Sequence, residues 1–304
     1  MNQILTVVIC TRNRSDILSY CLESITDQSV PTECYNIIVV DNASTDDTVK
    51  VIRQFQAKST NIEYGFVEKV GLSNARNFGF EISKTGWITY LDDDAMAHKN
   101  FVEAILRVIE NYPFACFGGV YLPWFKYGKK YWLPYEVGTN KSTQNTVGAL
   151  PDGKYASGGN FSIRKQVLEE VGGFNLNLGM SGAKISYGEE VELQIRLRER
   201  GYQVGFDPNI LIDHLVPKRK LQFSWWVKSY FAQGRDAVSI FGQKPPNLLN
   251  FLLRSIASGG RALLVGFKKL FVVNDYTIAS LFYDVTYEVT VLYGMYASGC
   301  AKRR

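Results

Sequence analysis

The chain has 304 residues, 46% hydrophobic and 21% charged. That is too apolar for disorder and too charged for a polytopic membrane protein, leaving a globular protein of one large domain or two smaller ones. Its net charge of +5 is unevenly spread: residues 1–214 carry 21 basic and 25 acidic side chains, residues 215–304 carry 13 and 4. Nucleic-acid binders concentrate positive charge on the folded face that docks, so an acidic body with a basic tail argues against nucleic acid. The five cysteines form no CxxC pair, which indicates neither a disulfide framework nor a zinc ribbon and suits a reducing compartment. The start MNQILTVVIC shows no basic leader and reads as a cytoplasmic chain opening on a strand.

Residues 4–10, 37–40, 62–67, 87–91 and 115–121 are nearly continuous apolar runs and predict buried strands. Between them, apolar side chains recur at helical spacing through 17–25, 49–55, 75–82 and 101–109. This alternation predicts an α/β fold with a mostly parallel sheet flanked by helices. Residues 122–157 interrupt it with a Lys- and aromatic-rich stretch that reads as a lid or insertion. Helical spacing returns at 164–171 and 189–200, and two short strands, 203–206 and 210–212, flank the turn Asp207-Pro208-Asn209.

Parallel sheets bind ligands beyond the carboxyl ends of their strands, which here are the loops Thr11-Arg12-Asn13-Arg14, Asp41 to Asp47, and Asp92-Asp93-Asp94. Three adjacent carboxylates repel one another unless a cation or donors compensate, and a hard divalent metal is the simplest compensation; the plain alternative is a solvated acidic turn. Ser44-x-x-Asp47 reads as a helix start capped by Ser44 or Thr45, which leaves Asp41 to accept hydrogen bonds from a base or ribose. Gly71 to Asn77 opens a helix whose N–H groups and Arg76 suit a phosphate or an acidic partner. Neither GxGxxG nor GxxxxGK[ST] occurs. Glu189 and Glu190 follow Gly188 at a helix start, either as ordinary first-turn acids or as a general base held over a pocket, with Glu192 pairing to Arg196. His214 would need to reach the aspartates from a distant segment to ligate a metal; His98 is the weaker candidate.

In order, VVICTRNR, VVDNASTDDT, GLSNARNFGF, YLDDDA, SGGNFSIRK, GGFN, GEEVELQIRLRERGY and HLVP resemble the family 2 glycosyltransferases, from residue 4 to about residue 235. The resemblance implies the GT-A (Rossmann-like) fold and an inverting transfer from a nucleotide-sugar donor, a UDP-sugar foremost. The acceptor is a saccharide or lipid-linked molecule in cell-surface polysaccharide synthesis. By position, Thr11, Arg12, Asp41 and Arg76, with Asp92 and Asp93, match the donor-binding places. The DDD run matches the DxD motif, with Asp94 the foremost ligand of Mn2+ or Mg2+, joined by Asp92 and completed by His214. Glu190 matches the family's general base; it is Glu where the family has Asp, so Glu189 stands as the alternative. The implied division is a catalytic domain 1–214, its nucleotide-binding half about 1–120 and acceptor half about 121–214, followed by a tail 215–304. Two rivals are a sugar-nucleotide nucleotidyltransferase, which needs a Gly-rich loop where this chain has TRNR, and a non-catalytic sugar-nucleotide-binding scaffold, opposed by the intact acids and His214. Trp124, Phe125, Tyr127, Tyr131, Trp132 and Tyr135 are candidates to stack on acceptor sugars or to touch lipid.

In the tail, Arg254, Arg261 and Lys268 recur every seven residues beside Leu249, Leu252, Leu253, Ile256, Leu263, Leu264, Phe267 and Phe271. No run is long enough without charge to span a bilayer. An amphipathic helical extension lying on the cytoplasmic face of the membrane is the expectation, with packing on the catalytic domain or on a second subunit as the alternative cover. Gly259-Gly260 is expected to bend this helix, and Asp284 with Glu288 to suit the last segment to protein contact.

Overall fold

The computed structural model describes residues 3–130, 132–133, 137, 139 and 144–301; Tyr131 and Tyr135 lie outside the described residues. The chain divides into two compact units, Met1–Trp124 with Gly138–Gly182 and Glu189–Leu215, and Phe125–Val137 with Ala183–Gly188 and Val216–Arg304.

The first unit is built on strands β1 (Leu5–Thr11), β2 (Tyr35–Asp41), β3 (Ile62–Phe66), β4 (Trp87–Leu91), β5 (Ala95–Ala97), β6 (Cys116–Trp124), β7 (Gly148–Ala149), β8 (Asn160–Arg164) and β9 (Val204–Leu215). Its helices are α1 (Leu18–Thr26), α2 (Thr48–Gln56), α3 (Leu72–Ile82), α4 (Phe101–Asn111), α5 (Lys165–Glu170) and α6 (Glu189–Glu199). All strands join one sheet in the order β3-β2-β1-β4-β8-β6-β9-β5, with β7 on β9. The β3-β2-β1-β4 half is parallel. The other half is mixed, because β8 runs antiparallel to β4 and β6, while β5 and β7 run antiparallel to β9.

The expected runs at β1, β2, β4 and β6 are strands that bury both faces, as strands under two helix layers must, whereas the edge strand β3 leaves Glu63 and Phe66 exposed. Along β1, Leu5, Val7 and Ile9 pack with α1 and α4, whereas Val8 packs with α3, α5 and α6. Three local expectations are corrected. Helix α2 starts at Thr48 rather than Ser44, because Ser44 and Thr45 are tied to Asn13 across the neighbouring loop. The two short strands before His214 are one strand, β9, with a bulge: the register jumps from Gly118↔Phe206 to Val120↔Leu211. Asp207 accepts from the Asn209 N and Nδ2 at 2.8 Å each, and this side-chain turn folds the extra residues out of the ladder while pairing resumes beyond them. Strands β5 and β8 carry no long apolar run, so periodicity alone did not mark them.

The second unit contains α7 (Phe223–Ile240), α8 (Leu248–Val272) and α9 (Ile278–Ala301), with α9 packed against both others. Asp284 accepts from the Tyr276 hydroxyl at 2.7 Å and from Lys269 at 3.3 Å, so α9 does face protein here. Helix α8 runs through Gly259-Gly260 as one continuous helix. Its outer face exposes Leu249, Leu253, Ile256, Leu264, Phe267 and Phe271. By length and composition α8 is apolar enough to cross a membrane, its most apolar 18 residues having mean hydropathy 1.3 and 6% of them buried. That contrasts with the expectation from charge spacing, since two charges in such a window do not exclude a span. Of the aromatic loop, Phe125 and Trp132 pack on the small cluster of Leu133, Val137 and Val216 in this unit, and Tyr127 lies under the Lys218 ammonium.

Candidate active site

Strands β1, β2 and β4 run parallel and end along one edge of the sheet, delivering Thr11, Asp41 and the aspartate run together. Thr11 is paired in register with Asp41, and both are buried. Asp41 accepts from the Ser44 backbone N–H at 2.9 Å and from the Tyr64 hydroxyl at 3.3 Å, which fixes its carboxylate at the strand end. Arg12 is exposed on the loop after β1. The next basic residue, Arg14, turns inward to 3.8 Å from Asp94. In sequence Arg14 is one residue of the TRNR loop, and its approach to the aspartates depends on the turn at Asn13, whose φ is +53°.

Strand β4 is fully buried to Leu91, and the chain then emerges as Asp92, Asp93 and Asp94. His214, 120 positions beyond Asp94 in sequence, is brought there by pairing: it sits opposite Ala95 in the β5-β9 ladder, and the next residue, Leu215, donates its N–H to the Asp94 carbonyl at 2.9 Å. Its Nε2 lies 3.3 Å from Asp94 Oδ1 and 3.6 Å from Asp92 Oδ2. Asp92, Asp94 and His214 each offer a ligand atom, all within 4.8 Å of one another. Tyr121 stacks on the imidazole, ring centroids 5.1 Å apart, and its hydroxyl accepts from the Gly159 N–H at 2.8 Å. Asp93 is buried, and desolvation pushes its carboxyl up to about 7, opposed by Arg14 and reinforced by Asp94. His98 is absent from this group and lies 3.3 Å from Asp213.

Arg76, on the first turns of α3, is buried to 3% exposure. Its Nη1 pairs with Glu189 Oε1 at 2.8 Å, its Nη2 donates to the Gly158 carbonyl at 3.0 Å, and the same Nη2 lies 3.6 Å from Asp92 Oδ1. Burial alone would lower its pKa, but Glu189, Asp92 and Glu190 outweigh that and raise it, so the guanidinium is a permanent cation. Glu189 thus commits its carboxylate to Arg76. Glu190 has no salt-bridge partner among the described residues, and desolvation, then the like charge of Glu189, pushes its carboxyl from 4.5 up to about 8. The expected Glu192–Arg196 pair is present at 2.8 Å.

The Gly158-Gly159 pair is part of the site. A Cβ on Gly159 would stand 1.9 Å from Asp92 Oδ2, so only glycine lets β8 pass so close to that carboxylate. SGGNFSIRK stood out in sequence as a motif, but nothing local to it told which acid it accommodates.

Residues 6–172 match the family described as glycosyl transferase family 2. The glycosyltransferase AglE of Haloferax volcanii is 27% identical over 263 residues, covering 86% of this chain and 80% of that protein. The glucosyl-dolichyl phosphate glucuronosyltransferase of the same organism is 26% identical over 237 residues, covering 75% and 74%. In fold, the chain is similar to the mannosyltransferase PcManGT from Pyrobaculum calidifontis, solved in complex with GDP-Man and Mn2+, with a TM-score of 0.66 at 15% identity over 100% of this chain and 89% of that one. It is also similar to residues 1–349 of S. aureus TarS, with a TM-score of 0.56 at 14% identity over 98% and 91%. The chain belongs to glycosyl transferase family 2 and is a glycosyltransferase with the GT-A fold.

Proposed function

We propose that this glycosyltransferase moves a sugar, with inversion, from a metal-bound nucleotide sugar, a UDP-sugar foremost, to a saccharide or lipid-linked acceptor in the synthesis of cell-surface polysaccharide. The observation that carries this reading is the buried Arg76, which links an Asp92-Asp94-His214 group on one side to the Glu189-Glu190 pair on the other. Two carboxylate oxygens and one imidazole nitrogen suit Mn2+ or Mg2+, so the residues present fit such an ion. When bound, the ion would supply neutralisation of the charge that builds on the departing diphosphate.

The chain's own residues do the rest. Asp92, Asp94 and His214 would hold the ion. Thr11, Arg12, Asp41 and Asp93 line the place of the nucleoside and ribose, with Arg76 close to the diphosphate end. Glu190 removes the acceptor hydroxyl proton, and attack from the face opposite the leaving nucleotide inverts the anomeric centre. A carboxyl near 8 remains partly ionised at neutral pH and is basic enough to take a proton. Glu189, engaged with Arg76, orients the pair.

A lipid-linked acceptor is supported by the glucosyl-dolichyl phosphate glucuronosyltransferase relative and by α8. On a helical projection the exposed apolar residues of α8 centre on one direction, while Arg254, Arg261 and Lys268 lie about 120° around the helix from it. That arrangement suits a helix in the membrane interface, cations toward anionic headgroups, on the cytoplasmic face. Residues 1–214 then form the catalytic part and 215–304 the membrane part, with a second copy of the chain as the competing cover for α8.

Thermal shift with UDP-, GDP- and dTDP-sugars, each with and without Mn2+, tests the donor reading. Stabilisation grows as RT ln(1 + [L]/Kd), so one donor class should raise Tm only when Mn2+ is present; stabilisation indifferent to the ion would remove the metal from the scheme.

A further inference from the structure

Residues 185–188 lead directly into Glu189 and Glu190 and adopt neither helix nor strand. No backbone ladder fixes them, yet every one is held by α7. The Arg235 Nη2 donates to the Ile185 carbonyl at 2.7 Å. Asp236, 6% exposed, accepts from the Ser186 hydroxyl at 2.9 Å and from the Tyr187 backbone N–H at 3.0 Å, while Arg235 Nε pairs with its other oxygen at 2.7 Å. The Tyr187 hydroxyl meets Ser229 at 2.8 Å. Gly188 has φ +90°, and a Cβ there would stand 2.1 Å from Ile240 Cδ1. A buried carboxylate such as that of Asp236 is costly to desolvate unless fully hydrogen-bonded, and the half-buried Arg235 guanidinium supplies part of that bonding. Here their bonds converge on three consecutive residues of irregular chain, Ile185, Ser186 and Tyr187.

We propose that Asp236 is a positioning residue for the reaction: with Arg235 it locks the 185–188 segment and thereby sets where Glu190 begins its helix. The proposal rests on the reading of Glu190 as general base. Oδ2 of Asp236 accepts from both Ser186 and Tyr187 while Oδ1 accepts from Arg235 Nε; an amide in its place keeps the shape but turns one of these oxygens into an NH2 group that faces donors, and removes the charge opposite Arg235.

The test has two arms on the full-length chain. Hydrogen exchange needs no substrate: Asp236→Asn should speed exchange of the amides from Tyr187 to Glu190 at least tenfold and leave β1 and β4 unchanged, whereas unaltered exchange at Tyr187 overturns the proposal. The second arm measures nucleotide release from UDP-glucose, UDP-glucuronic acid and GDP-mannose, each with Mn2+ and dolichyl phosphate, for wild type, Asp236→Asn, Glu190→Gln and the double variant. A residue acting through Glu190 should lower kcat at least tenfold at unchanged donor KM in the wild-type background, and less than twofold when Glu190 is already Gln. Equal losses in both backgrounds would mark a general structural role and sink the proposal. A Glu190→Gln enzyme at full rate with a slow Asp236→Asn enzyme refutes the base assignment but not the anchor; the opposite pattern refutes the anchor alone.

Discussion

Arg76 and Glu189, 113 positions apart, meet in a buried ion pair at 2.8 Å. The same guanidinium reaches Asp92 at 3.6 Å, so one cation holds carboxylates from α6 and from the end of β4 in fixed relation. Removing it leaves Glu189 buried and unpaired, a cost of about 3–5 kcal/mol. Arg76→Ala should therefore lower Tm strongly and abolish transfer. Arg76→Lys restores a charge but not the fork that spans Glu189, Gly158 and Asp92, and should recover Tm better than turnover. Calorimetry beside nucleotide-release assays checks this, and equal recovery of both would argue against a bridging role.

Gly159→Ala places a methyl 1.9 Å from Asp92 Oδ2. Either Asp92 or β8 must shift by about an ångström, and a displacement of that size costs on the order of 100-fold in catalysis. The expected result is a folded enzyme with unchanged circular dichroism, a higher Mn2+ requirement and kcat/KM down about 100-fold. A fully active variant would show that Asp92 has no fixed place in the reaction.

The metal reading makes Asp94 and His214 sensitive in a defined way. Asp94→Asn keeps the shape but loses the charge, and His214→Ala removes the nitrogen that lies 3.3 Å from Asp94. Each should raise the Mn2+ concentration for half-maximal rate by at least about 10–100-fold, the scale on which even partners that merely support a metal ligand act. An unchanged Mn2+ titration in both would count against this group as the metal site.

Glu190 gives a signed pH dependence. As a base it must be ionised, so kcat should rise about tenfold per pH unit below about 8 and level off above it. Glu190→Gln should bind donor normally and lose about 1000-fold in transfer. Stability runs the other way. The folded carboxyl lies above its ordinary 4.5, so the fold favours the proton, and that contribution is present below 4.5 and lost as pH climbs through about 8. Glutamine escapes this loss, so the Tm of Glu190→Gln should gain on wild type by about 2–4 °C between pH 6 and pH 9. A constant difference would contradict the raised pKa.

The outer face of α8 is tested without truncation, because α9 packs on both α7 and α8 and a shortened chain would lose that packing. Ile256 and Leu264, 75% and 71% exposed, touch little protein, so Ile256→Glu with Leu264→Glu should leave Tm within about 1–2 °C. Flotation with vesicles containing anionic phospholipid should fall at least fivefold for the double variant, and further at high salt. Equal recovery, with dimerisation lost instead, would assign the face to a second copy.

Apart from the three-residue β5, the order of strands and helices in the first 120 residues, the acidic strand ends and the family were legible in the sequence, because strands under two helix layers are apolar on both faces and because ligand loops follow them. The helical tail and its lopsided charge were legible for the same reason: an amphipathic period of 3.6 survives in any context. What the sequence could not decide depended on pairing across distance. His214 joins Asp94 only through the β5-β9 register, and β5 is three residues long. Glu189 and Glu190 are chemically alike and adjacent, and their different environments follow from Arg76 arriving on α3 to neutralise one of them. The glycine beside Asp92, the bulge in β9 and the clamp of Asp236 on the chain before Glu189 are likewise contacts between segments far apart. Local propensity carries no information about such meetings, because the free energy that fixes them is gained only when the tertiary structure closes.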